Sequence, residues 1–262
     1  MAPEDLTEMY RAHPELGRYF YPMVDDLILP ETPMSAFSGH RQASVPMLIG
    51  YNADEGSLLA PFIHPAGPEF EVPEGVTVTP AQARAAFERS YPSSQHVDRL
   101  MAAYPGLASL DPSAVTAHIG DHMFGVHVDH ASRRHAAGGH PVYRYRYEAV
   151  PPSKKQSIGA FHGAEILNVF DTSLPLVPAA TDAHLLTREM GDRWFAFAAT
   201  GVPDAPGREP WPAYDPGDPH HMVFDRPRSS VQTCSAQPGL DLMRERIEWL
   251  TAELAADSAK HP

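Results

Sequence analysis

Residues 45–57 read VPMLIGYNADEGS. The first six, Val45 to Gly50, form a nearly continuous apolar run without alternation that stops on glycine, the pattern of a parallel strand covered on both faces. Directly behind it stand Asn52, the two acids Asp54 and Glu55, Gly56 and Ser57. Functional groups of an open α/β sheet collect beyond the carboxyl ends of its parallel strands. This stretch therefore predicts a sheet strand that delivers carboxylates to the working end of an α/β protein.

A second strand is predicted at Val142 to Glu148, VYRYRYE, where Tyr143, Tyr145 and Tyr147 alternate with Arg144 and Arg146 at period two. A polar loop, Pro151 to Phe161, follows. It leads through GAFHGAE (159–165) into a short helix over Ala164 to Phe170. Neighbouring strands lie about 5 Å apart, so a carboxylate presented after one and His162 presented after the next can meet as acid and base. The residues alone leave two readings open. Acids favour helix N-termini, so Asp54-Glu55-Gly56 also fits the opening of a helix at Ser57, and His162 also fits an ordinary loop histidine. Asp54 is expected to cap, and Glu165 to be a helix residue that touches backbone or a neighbour.

Working outward, Thr79-Pro80 opens a helix over Ala81 to Glu88 that Pro92 stops, and a second runs from Val97 to Tyr104. Asp111-Pro112 opens a longer helix toward Gly138 and Gly139. Leu186, Met190, Trp194 and Phe197, at spacings of 4, 4 and 3, mark the apolar stripe of a helix opened near Thr181 and closed by Gly201. His221 to Phe224 is expected as an edge strand. Leu240, Met243, Ile247, Leu250 and Leu254 mark a terminal amphipathic helix. Upstream, a helix is expected from Pro3 and an extended segment from Phe20 to Pro30. No internal period repeats, and the Pro-rich patches at 149–153 and 202–219 are too short for interdomain linkers. Residues 1–262 read as one unit.

Composition narrows the function. Twenty basic against thirty-three acidic side chains leave a formal charge of −13, a sign that disfavours nucleic acid and anionic membrane surfaces as partners. No stretch approaches the roughly 20 apolar residues of a membrane span. The opening MAPEDLTEMYRAHPE has acids where a secretory signal has bases. Cys234 stands alone, so no intrachain disulfide can form, which suits a reducing compartment. A soluble, cytoplasmic protein is expected. Six histidines, His118, His122, His127, His130, His135 and His140, crowd one helix, and His118 with His122 have the i, i+4 spacing of metal ligands. No H-E-x-x-H pattern or cysteine cluster accompanies them, so a His-rich metal binder is the weaker alternative and no metal ligand is assigned.

YNADEGSL after an apolar strand and GAFHGAEI before a helix resemble the acid and histidine motifs of the type B carboxylesterases, the α/β-hydrolase family that includes the cholinesterases. Further segments agree in family order. YPMVDDLILPETP resembles the family's P-V-V-D-G…L-P segment, with Asp26 where glycine is usual. PVYRYRYE resembles its penultimate strand, and DRWFAFAATGVPDAPGREPWPAY its W…F-A…G…P…W-P-x-Y stretch. The resemblance spans residues 20–225. It implies a partial α/β-hydrolase fold made of the C-terminal strands and helices of a mostly parallel sheet, a small-molecule carboxylic ester as substrate and no cofactor. It also implies Glu55 as the triad acid, His162 as the general base, and Phe62 or Phe161 as candidates to line an acyl pocket.

The family nucleophile sits in a G-x-S-x-G elbow upstream of the acid, with a Gly-rich oxyanion loop. Neither pattern occurs in the sequence, and Gly159 and Gly163, the one glycine pair four apart, bracket Phe161. Residues 1–262 are thus expected to form a single partial domain lacking the N-terminal half, with a complementary half as the partner that supplies the serine. The alternative is a catalytically inactive fragment or interaction module of the same fold.

Overall fold

The computed structural model describes residues 23–25, 27–67, 70, 77–150, 157–172, 183–234 and 238–260. The helix expected from Pro3, Asp26 and the helix start at Thr181 lie outside the described residues. A short helix, α1 (Pro33–Ser38), precedes strand β1 (Met47–Asn52). Helices α2 (Pro80–Ser90), α3 (Ser94–Ala103), α4 (Pro112–Gly120) and α5 (Val126–Ala137) follow, the last two joined by a π-helical turn, Asp121–Gly125. Then come β2 (Val142–Tyr147), α6 (Ala164–Val169), α7 (Ala183–Thr200), β3 (His220–Phe224), β4 (Ser230–Thr233) and α8 (Pro238–Lys260).

Local chemistry accounts for the helix starts. Thr79 and Gln82 close a reciprocal capping box on α2. Ser93 caps α3 through the His96 N–H, and the Asp111 carboxylate caps α4 through the Ser113 and Ala114 N–H groups. Between Met23 and Pro30 no strand forms among the described residues. There the Asp25 carboxylate accepts the N–H groups of Leu27, Ile28 and Leu29, gathering the chain into a turn instead of the expected extended segment.

The sheet runs in the order β1-β2-β3-β4, parallel between β1, β2 and β3 and antiparallel between β3 and β4. In the register Met47 faces Val142 and Asn52 faces Tyr147, so both strands end at one level. β1 starts at Met47, whose N–H donates to the Pro141 carbonyl at 2.9 Å, rather than at Val45. The expected edge strand at His221 is interior, since Ser230–Thr233 pairs along its far side and forms the edge.

Both faces of the sheet are covered. Tyr143 and Tyr147 turn toward α7, into a cluster with Met190, Trp211, Met222 and Phe224. On the opposite face Arg144 is 6% exposed and reaches Asp129 of α5, whose carboxylate also receives Arg133 and Arg244. Arg144 of the alternating strand thus faces a buried counter-charge, not solvent, while Arg146 pairs with the part-exposed Glu148. A second core, built on Phe87, Leu100, Leu107, Ile119 and Met243, joins α2, α3, α4 and α8. Each such apolar side chain contributes about 2–3 kcal/mol by leaving water.

Candidate active site

Beyond the carboxyl end of β1 the chain turns through a single 3-10 turn, Glu55–Ser57. Gly56 lets helix α4 close onto that turn: a Cβ there would collide with the Thr116 carbonyl oxygen. The packing drives the Glu55 side chain inward, leaving the residue 5% exposed. Its Oε1 accepts the Asn52 N–H at 2.8 Å, and its Oε2 lies 2.7 Å from Nδ1 of His162. A carboxylate accepts only, so Nδ1 carries the imidazole proton and the Nε2 lone pair is left for another group. Among the described residues nothing bonds Nε2, and the His162 side chain is 46% exposed. A buried acid and a half-exposed base make an arrangement able to take a proton from outside and stabilise the cation that forms.

Burial pushes the Glu55 carboxyl above its ordinary value. The Asn52 N–H and His162 oppose that rise, and the nearby charge of Glu165 adds to it. Glu165 does not approach His162 as a second base. Its Oε2 accepts from Nδ2 of Asn52 at 2.6 Å, and the same Nδ2 donates to the Phe161 carbonyl at 2.7 Å. Asn52, 1% exposed, thereby joins β1, the histidine loop and α6. Phe124, on the π-helical turn, stacks on the His162 ring with centroids 4.6 Å apart.

Asp54 occupies the N-cap position but makes no side-chain cap. Its carboxylate accepts the Ala160 N–H at 2.8 Å instead, so the expected capping role gives way to a tie between the two loops. Phe161 is buried in the aromatic cluster beside α7, and Phe62 is 83% exposed. A cavity of about 490 Å³ opens beside the acid loop, lined by Tyr51, Asp54, Thr116, Asp121, Arg146 and Gly159 among others.

The histidine-rich helix does other work. His118 is fully buried, edge-on to Phe87 and Tyr104, and desolvation drives its pKa well below the ordinary value. His130 pairs with the Ser38 hydroxyl, and His135 bonds Gln42 and the Val45 carbonyl. Among the described residues no three His, Cys, Asp or Glu side chains converge to hold a metal ion.

Two signals in the sequence pointed to Glu55 and His162: the strand ends and the motif resemblance. Asn52 carried a weaker one, a polar residue closing an apolar strand. Phe124 carried none, because a π-turn shifts the phase of every residue after it.

The sequence model of the carboxylesterase family matches residues 3–242. The fumonisin B1 esterase of Sphingopyxis macrogoltabida is 28% identical over 227 residues, which cover 80% of this chain and 39% of that enzyme. The liver carboxylesterase of Sus scrofa is 26% identical over 251 residues, 92% of this chain and 42% of the relative. Among solved structures, a thermophilic PNB esterase superposes with a TM-score of 0.68 at 20% identity, covering 94% of this chain and 48% of that one. This chain therefore spans less than half the length of these proteins, and the fold it shares with them is part of an α/β-hydrolase fold. By the match along most of its own length, the chain belongs to the carboxylesterase family.

Proposed function

We propose that Glu55 and His162 are the acid and the general base of a serine carboxylic-ester hydrolase, and that its nucleophile and oxyanion donors come from polypeptide outside this sequence. His162 Nε2 takes the serine proton as the hydroxyl attacks the ester carbonyl. The resulting imidazolium returns that proton to the departing alcohol, leaving an acyl-enzyme that water clears by the same relay. Glu55 holds Nδ1–H throughout and stabilises the imidazolium. The single observation that supports this reading is the 2.7 Å contact between Glu55 Oε2 and His162 Nδ1, with the acid buried and the base half-exposed.

The relatives' names as esterases support a small-molecule carboxylic ester as substrate. On this reading residues 1–262 are the acid-and-histidine part of one domain, completed by an N-terminal half, and the lone Cys234 suits a reducing, cytoplasmic setting. The outer edge of β1, which pairs with no strand among the described residues, and the lack of a G-x-S-x-G sequence favour, as second reading, a fragment without turnover of its own.

A chromogenic short-chain ester separates the two. The chain alone is expected to hydrolyse it at background rate, since loss of the nucleophile costs a related triad about a millionfold. Addition of a cognate N-terminal half carrying the serine is expected to restore hydrolysis. His162→Ala should abolish the restored activity and Glu55→Gln should lower it by about 10⁴-fold. Restored hydrolysis that ignores both substitutions rejects the assignment.

A further inference from the structure

The loops that carry Glu55 and His162 are fastened to each other by bonds that the proton relay does not use. The Asp54 N–H donates to the Ala160 carbonyl at 3.1 Å, and the Ala160 N–H donates to Asp54 Oδ2 at 2.8 Å. One acidic residue thus pairs with both backbone groups of the residue two before His162. Asp54 and Phe161 form an isolated parallel bridge that joins the acid loop to the histidine loop beyond the strand ends. One turn further on, the Ser57 hydroxyl donates to the Ile158 carbonyl at 2.7 Å. The histidine loop is shaped to receive the carboxylate: Gly159 stands in the left-handed region at φ 66°, and a Cβ there would collide with Asp54 Oδ2.

Resting on the reading of Glu55 and His162 above, we propose that Asp54 is a positioning residue for the base: its carboxylate fixes the backbone at Ala160 and so sets where the His162 ring meets Glu55. The adjacent acids then divide the work, Asp54 holding the loop and Glu55 holding the ring. The hydrogen bond of a carboxylate to a backbone N–H is about twice as strong as a neutral one. Without it, the 2.7 Å bond to Glu55 and the Phe124 stack must orient a half-exposed ring carried on a less firmly held loop. Proton relays are sensitive to such freedom, and a misplacement of about 1 Å can cost about 10²-fold in rate.

The first readout needs only this chain. In ring ¹⁵N spectra assigned through His162→Ala, the native chain is expected to show one dominant tautomer, with Nδ1 protonated. Asp54→Asn keeps an oxygen acceptor for the Ala160 N–H and should retain that spectrum. Asp54→Ala should give a mixture of tautomers. Gly159→Ala should resemble Asp54→Ala, and the two together should be no worse than either alone, because both break one contact. In the reconstituted enzyme, Asp54→Ala should lower kcat about tenfold to a hundredfold with KM unchanged, and Asp54→Asn should recover most of it.

An Asp54→Ala chain with the native ring spectrum and native kcat overturns the proposal, as does an Asn variant no better than Ala. Should both substitutions prevent folding, hydrogen exchange at the Ala160 amide of the native chain decides: protection supports the bond to Asp54, and exchange at the rate of a free loop overturns it. If the restored hydrolysis ignores Glu55→Gln and His162→Ala, the catalytic reading fails. The ring spectra still report whether Asp54 orders the pair.

Discussion

Glu55 and Asp129 are both buried, 5% and 4% exposed, yet their surroundings act in opposite directions. For Glu55 burial dominates and its pKa rises above the ordinary 4.5. For Asp129 burial also raises, but the charges of Arg144, Arg133 and Arg244 outweigh it and hold the carboxyl below 3.8. Linkage gives the signs. Folded Glu55 binds its proton more readily than the unfolded chain does, so its contribution to stability is fully present below about pH 4.5 and is lost as pH rises through the raised value. Folded Asp129 binds its proton less readily, so its contribution is present above about pH 3.8 and is lost as pH falls through the depressed value. Urea melts taken from about pH 3 to pH 8 should show Glu55→Gln removing a gain on acidification and Asp129→Asn removing a loss. At neutral pH Asp129→Asn also leaves Arg144 buried with its counter-charge gone, at a cost of about 3–5 kcal/mol. Equal slopes for native chain and variants would refute both signs. The raised value at Glu55 also bears on the reconstituted enzyme. A protonated acid cannot stabilise the imidazolium, so its activity should fall on acidification at a higher pH than an ordinary carboxylate would allow.

At the level of elements, helix starts rest on single side chains. The Thr79 hydroxyl oxygen accepts the Gln82 N–H, and the Thr79 N–H donates in return to Gln82 Oε1. Thr79→Ala should therefore cost about 1 kcal/mol, read as a lower urea midpoint at unchanged slope, whereas Ala81→Ser, two residues on, should change little. Such starts were legible because Thr-Pro and Asp-Pro pairs act within a few residues of themselves. The two parallel strands were legible for the same kind of reason, one from its apolar run and one from its alternation, and with them the meeting of Glu55 and His162. What escaped depends on distant partners. β3 lies inside the sheet only because the short, half-exposed Ser230–Thr233 returns beside it. The π-turn answers to its neighbours, since Gly120 packs on the Gly56 N–H and Gly125 approaches Leu240 of α8. Asp54 escaped as a tie because its partner, Ala160, lies 106 residues away and offers only a backbone N–H.

At the scale of the whole molecule, the sheet of the described residues is finished on one side and open on the other. β4 is short and its last two residues are exposed, as an edge strand should be. β1 is the other outer strand, yet Met47 to Gly50 is an apolar run only half-buried, and Val45 before it is 56% exposed. Residues 47, 51 and 53 alternate toward β2, so Leu48 and Gly50 turn their backbone groups the other way, while Glu55 already takes the N–H of Asn52. An apolar strand whose donors and acceptors along one side meet no partner among the described residues templates pairing with another chain. The isolated chain is therefore expected to associate with rising concentration, seen as a growing sedimentation coefficient. A charge placed beside the edge should oppose this, so Val45→Lys, at an exposed site outside the strand, should shift the distribution toward monomer without moving the melting temperature. The same edge bears on the proposed function. If a complementary half completes the sheet there, its addition should suppress association in parallel with restoring hydrolysis, and Val45→Lys should weaken both effects together. A chain that stays monomeric and melts cooperatively at high concentration would show that β1 needs no neighbour, and would remove the edge from the argument for a missing partner.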